Sequence, residues 1–209
     1  NTFMAYNGSM LFTGKGDGGT TRLFASKDGQ AKTFGCDQRI SKSSAIAEAL
    51  GSVDELNSLL GVVKMKTKSP ELVEGGEITG IGGLTYDAML SDVQQDLFIA
   101  QAQLANALKA ITKDQVTKLG DWVNAIEKEL PPITSFFVSG GTELAALCDY
   151  ARTVARRAER RVVEALENGP KREEHQVMLA YMNRLSSLLY AFARLANHRA
   201  GIKEEKPHY

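Results

Sequence analysis

Between Thr142 and Pro170 the apolar residues Leu144, Leu147, Ala151, Val154, Ala158, Val162 and Ala165 recur every three or four positions. A strand repeats every second residue, so this spacing commits the stretch to a long amphipathic helix. Thr142 supplies an N-cap oxygen and Glu143 suits the positive end of the helix dipole. Asn168-Gly169-Pro170 ends the helix, because neither glycine nor proline continues it comfortably.

Four further segments carry the same period. After the capping residues Ser43-Ser44, the stripe Ile46, Leu50, Val53, Leu56, Leu60, Val63 predicts a first helix, with Asp54, Glu55 and Asn57 on its other face. Tyr86, Met89, Leu90, Val93, Leu97, Leu104 and Leu108 predict a second, running to about Ile111. Asp114 is the expected cap of a third, with Val116, Leu119, Val123, Ile126 and Leu130 inward until Pro131-Pro132 stops it. The last spans about Glu173 to His198 on Met178, Met182, Leu185, Leu189, Phe192 and Leu195. The expectation is an all-α protein, a five-helix bundle with an extended glycine-rich N-terminal loop that has at most a short strand. At 209 residues it reads as one domain, divided into a loop segment 1–42, a helical bundle 43–200 and a C-terminal tail 201–209.

Charge excludes several function classes. Lys+Arg and Asp+Glu are both 25, so no global field draws nucleic acid or anionic lipid, and anion binding must come from a local cluster. No run reaches the roughly 18 apolar residues of a membrane span, and residues 1–10 lack the basic-then-apolar layout of a signal peptide. Cys36 and Cys148 stand far apart without metal-ligand spacing, which fits a reducing compartment: the cytoplasm, or the mitochondrial matrix of a eukaryote. His175, His198 and His208 are scattered without ligand partners, so no protein-ligated metal is expected.

Two local clusters stand out. The run Thr13-Gly-Lys-Gly-Asp-Gly-Gly-Thr-Thr-Arg22 packs four glycines between two basic residues, so backbone N–H groups can converge on an anion while Lys15 and Arg22 add charge and Thr20 and Thr21 add donors. Gly14, Gly16 and Gly19 satisfy GxGxxG, but no strand precedes them and no helix opens there, which excludes a dinucleotide fold. A mobile linker is the bland alternative. On the fourth helix Arg152, Arg156 and Arg160 share a face at four-residue spacing, with Arg157 and Arg161 beside it and Glu159 offsetting part of the charge. Such a stack requires compensation by carboxylates, a phosphate chain or nucleic acid; the bland alternatives are a solvated face and an intersubunit ion-pair network. Asn183, Ser186, Ser187 and Tyr190 interrupt the fifth helix, and the Asn183 amide at the core edge needs a partner, either a neighbouring helix or a nucleoside.

With Gly-Asp-x-Gly-x-Thr near the start, Gly51-Ser-Val-Asp54-Glu-Leu-Asn57 next, then Ala151-Arg-Thr-Val-Ala-Arg156-Arg157-Ala-Glu-Arg160 and Asn183-Arg-Leu-Ser186, the chain resembles the PduO-type ATP:cob(I)alamin adenosyltransferases over about Thr13 to Asn197. The resemblance implies a homotrimer binding ATP, Mg²⁺ and the corrinoid at its subunit interfaces. Its activity would move the adenosyl group of ATP to the cobalt of cob(I)alamin, giving adenosylcobalamin and triphosphate. A corrinoid reductase and an adenosylcobalamin-dependent acceptor enzyme would be its partners, with no nucleic acid and no membrane.

Carried onto this sequence, Thr13, Gly14, Lys15, Gly16, Asp17, Thr21 and Arg22 would wrap the triphosphate. Lys42, Arg156, Arg157, Glu159 and Arg160 would complete the ATP site, and Asn183 would hold the nucleoside. Arg156 is the expected catalytic residue. Phe136 would crowd the lower face of the corrin and displace its axial base, and Asp54 and Arg152 would pair between subunits. Three positions depart from the family pattern: Gly14 stands where a lysine is usual, Ile46 where an arginine is common, and Ser139 where a proline precedes the glycine pair. A non-catalytic, ATP-gated cobalamin carrier is the alternative function. An RNA-binding module is a poor third, because no aromatic residues interleave with the arginines.

Overall fold

The computed structural model describes residues 14–23, 39–67, 84–107, 109–167 and 172–208. Two strands, β1 (Thr20–Thr21) and β2 (Ile40–Ser41), pair antiparallel with Thr20 opposite Ser41 and Thr21 opposite Ile40. Five helices follow among the described residues: α1 (Ala45–Lys66), α2 (Tyr86–Leu104), α3 (Lys113–Glu127), α4 (Glu143–Glu167) and α5 (Glu173–Arg199). α4 packs on α5 and on α1, α3 lies against α5, and α2 against α1. No described helix is long and apolar enough to cross a membrane.

The sequence stripes are the buried faces. α1 buries Val53, Leu56, Leu60 and Val63; α4 buries Leu144, Ala151, Val154, Ala158 and Val162. The alanines of α4 keep that face shallow, which lets α1 and α5 both approach it closely. α5 exceeds its stripe: from Ala191 to Asn197 every residue is buried, so its C-terminal half is enclosed on all sides.

Two helix boundaries differ from expectation. α2 ends at Leu104, because Asn106 adopts a left-handed φ of 64° that no helix continues through. Ile111 is buried as its spacing implied, but a loop delivers it, its N–H donating to Gln103 Oε1 at 2.9 Å. α3 starts one turn's edge earlier than Asp114: Thr112 is the N-cap, and Gln115 returns the bond in a capping box. Elsewhere the expected caps act. Ser44 Oγ accepts from Ala47 N, and Thr142 Oγ1 accepts from Ala145 N at 3.1 Å.

Candidate functional site

The glycine-rich loop is folded into two successive turns. Asp17 N donates to Gly14 O at 3.2 Å and Gly19 N to Gly16 O at 3.1 Å. Gly14 and Gly19 have φ of 67° and 73°, a conformation that side chains other than glycine resist. A lysine at position 14 would be strained at this φ, and the basic residue of the loop's first turn is Lys15. The β1–β2 ladder then brings Lys42 to the loop. Lys42 N donates to Gly19 O at 2.9 Å, and its Nζ lies so close over Gly16 that an added Cβ would stand 3.1 Å from it.

Arg39 was not singled out in the sequence, yet it staples this loop. Its Nε donates to Thr20 Oγ1 at 2.7 Å, and its Nη2 donates to Thr20 O at 2.6 Å and to Lys15 O. With two of its carbonyls so bonded, the loop and its ladder carry the exposed basic side chains Lys15, Arg22 and Lys42. Behind the loop a cleft of about 490 Å³ opens between α1 and α2, lined by Arg22, Leu50, Asp54, Phe98 and Gln101 among others. Thr13 lies outside the described residues.

On α4 the arginines divide by face. Arg157 Nη2 meets Glu55 Oε2 at 2.6 Å, and Arg161 lies 3.7 Å from Glu48 and 2.9 Å from Glu164, so these two tie α4 to α1. Arg152 Nε is held by Asp149 one turn earlier. Arg156 and Arg160 are exposed and make no ion pair among the described residues. Beside them Asn183 Nδ2 donates to Glu159 Oε1 at 3.3 Å, which joins α5 to the same face. Asp54 is exposed on α1. Among the described residues Arg39 and Lys42 bond the loop, while Arg157 and Arg161 bond α1, Arg152 bonds Asp149 and Glu159 bonds Asn183.

The third part is the segment between α3 and α4. Phe136 is 81% exposed at its tip. A phenylalanine left in water forgoes roughly 1.5–3 kcal/mol of burial. Its neighbours are fixed: Asn197 accepts from Thr142 N at 2.9 Å and donates to Gly140 O at 2.9 Å, pinning the glycine pair to α5. Arg194, buried to 3%, donates to Pro131 O at 3.1 Å. Neither Arg194 nor Asn197 was singled out beforehand; the available signal was a charge and an amide inside the enclosed end of α5. Cys148 is buried with its thiol pushed up to about 12, mainly by burial and next by Asp149, so it is no nucleophile.

The described residues are a helical bundle with one short two-stranded ladder, a basic glycine-rich loop and an exposed arginine face. The cobalamin adenosyltransferase family profile matches residues 11–196. The chain is 34% identical over 196 residues to a corrinoid adenosyltransferase of Bacillus subtilis, covering 92% of this chain and 89% of that one. It is 32% identical to the corrinoid adenosyltransferase PduO of Citrobacter freundii, covering 91% of this chain and about half, 50%, of that protein. A PduO-type ATP:corrinoid adenosyltransferase of Lactobacillus reuteri, solved as a phenylalanine-to-alanine variant with cobalamin and ATP, superposes with a TM-score of 0.78 at 26% identity. It covers 96% of this chain and 100% of that one. The chain belongs to the cobalamin adenosyltransferase family.

Proposed function

We propose that this chain adenosylates cobalamin with ATP in a site completed by a second copy of itself. The activity is that of a corrinoid adenosyltransferase: an electron pair of the reduced cobalt attacks C5′ of ATP, a cobalt–carbon bond forms, and the C5′–O bond breaks with its electrons leaving on triphosphate. The observation that carries the reading is the pair Arg156 and Arg160, exposed on α4 with no ion pair among the described residues and so available to a polyanion.

In this reading Gly14, Lys15, Gly16, Asp17, Thr21, Arg22 and Lys42 take the triphosphate, with Thr13 preceding them. Arg156 faces the departing oxygen, where charge grows most in the transition state. Arg160 shares that charge, Arg157 holds α4 against α1 through Glu55, and Glu159 orients Asn183 toward the nucleoside. Magnesium enters with the phosphates, whose oxygens are its natural ligands, with the exposed Asp17 carboxylate at hand in the loop. Phe136 projects against the lower face of the corrin and keeps the axial base away. A homotrimer joins Asp54 to Arg152 across each interface. The buried thiol of Cys148 suits the reducing cytoplasm, where a reductase would deliver cob(I)alamin and an acceptor enzyme take the product.

The test is anaerobic absorbance of reduced cob(I)alamin mixed with Mg-ATP, with triphosphate quantified in parallel. Conversion to the adenosylated spectrum with one triphosphate per turnover is expected, and Arg156→Ala should lower kcat by about 10²–10³-fold, the usual effect of removing one charge-stabilising donor. Tight binding of both substrates without turnover would replace the transferase with the ATP-gated carrier.

A further inference from the structure

The C-terminal segment after α5 is bound into the wall that presents Phe136. Arg194 donates from Nε to Glu204 Oε1 and Oε2, both at 3.1 Å, and from Nη2 to Glu204 Oε2 at 3.0 Å. The side chains are 3% and 17% exposed, so this is a buried, bidentate pair and not a surface contact. The same guanidinium donates to Pro131 O and lies 5.2 Å from the ring centre of Phe137, immediately beside Phe136. Two residues further on, Val138 N donates to Glu205 O at 2.8 Å. Residues on both sides of Phe136 are thus bonded to the C-terminal segment or to the arginine that anchors it.

An exposed aromatic side chain on a loop has no packing of its own to set its direction; only the backbone beneath it can. That backbone runs over Arg194, and Arg194 in turn is compensated by Glu204. Without the carboxylate, the buried cation would be drawn toward water, taking Phe137 and the Pro131 carbonyl with it.

We infer that Arg194, Glu204 and the Glu205 carbonyl are positioning residues that aim Phe136 at the corrinoid, so that removal of the axial base depends on the chain's C-terminal segment. The inference rests on the reading of Phe136 as the corrinoid contact. Tyr190 stands in the field of both Arg194–Glu204 and Asp149–Arg152, so affinity for ATP is the readout that separates an effect on Phe136 from one relayed to the arginine helix.

The experiment compares the intact protein with Glu204→Gln, Phe137→Leu and Phe136→Ala, each saturated with Mg-ATP and mixed with cob(II)alamin. Absorbance and electron paramagnetic resonance report the fraction of cobalt that has lost its axial base. Glu204→Gln should lower that fraction and raise KM for the corrinoid by roughly tenfold, while the Kd for ATP stays within about twofold. Phe137→Leu, which keeps the ion pair and removes only the stacking on Arg194, should do the same to a smaller degree. It also serves if Glu204→Gln proves unstable by thermal melting. An unchanged base-free fraction in both variants, alongside its loss in Phe136→Ala, overturns the inference and leaves the Phe136 reading standing. A fraction retained in Phe136→Ala removes that reading, and the inference with it. Equal losses of ATP and corrinoid affinity would show general loosening and also overturn it.

Discussion

Gly141 sits where the Phe136 segment turns into α4, at a φ of 96°, and a Cβ added there would stand 2.2 Å from Asn197 Oδ1. Both the backbone and the neighbour forbid a side chain, since Asn197 is fixed by Thr142 N and Gly140 O. Gly141→Ala should therefore cost about 2–3 kcal/mol, combining backbone strain with the displaced amide. Chemical denaturation measures it, and an unchanged midpoint would show that Asn197 swings aside freely. The glycine pair was legible in the sequence; its jailer was not. Asn197 lies four residues beyond Ala193 on a helix read as a single stripe, and a polar residue there looks like a frayed end until the fold encloses it. Arg39 escaped for a different reason: its value lies in three oxygens of a loop about twenty residues upstream, and nothing local in the sequence records such a contact.

Elements were legible wherever a stripe packs against a neighbour, and less so where a backbone torsion or a cap decides. α2 stops at Leu104, ahead of the left-handed Asn106, although Leu108 and Ile111 carry the period onward in the sequence, and α3 prefers the Thr112–Gln115 capping box to Asp114. The N-terminus of α5 has a consequence for pH. His175 lies in its first turn, where burial, and after it Arg172, depress the imidazole pKa below 6.5. The unfolded chain then binds more protons than the folded one between the two values. Stability is undiminished above about pH 6.5 and falls as the pH drops from there toward the lowered folded value. His175→Gln should flatten that part of the curve, as followed by thermal melting from pH 7.5 to 5. A variant as acid-sensitive as the parent would show that other groups carry the effect.

For the whole molecule, the fold followed from helical periodicity and the two basic clusters from motif; the proposed reading places their meeting at an interface between two copies. Among the described residues Asp54 is exposed with no ion pair, and the one ion pair of Arg152 is with Asp149 of its own helix. One carboxylate compensates a guanidinium that has donors to spare, so Arg152 retains capacity for a second carboxylate. If the partner's Asp54 supplies it, assembly and catalysis share one contact. Asp54→Ala should then weaken association by about 2 kcal/mol per interface, roughly 30-fold in dissociation constant. Sedimentation would show smaller species on dilution, and activity per chain would fall along the same concentration axis, recovering when the protein is concentrated. Activity lost at every concentration with assembly intact would place Asp54 in ATP binding, in the Arg22-lined cleft where it stands. Full activity from a species sedimenting as a single chain would mean that the loop and the arginine face close on one another within one subunit.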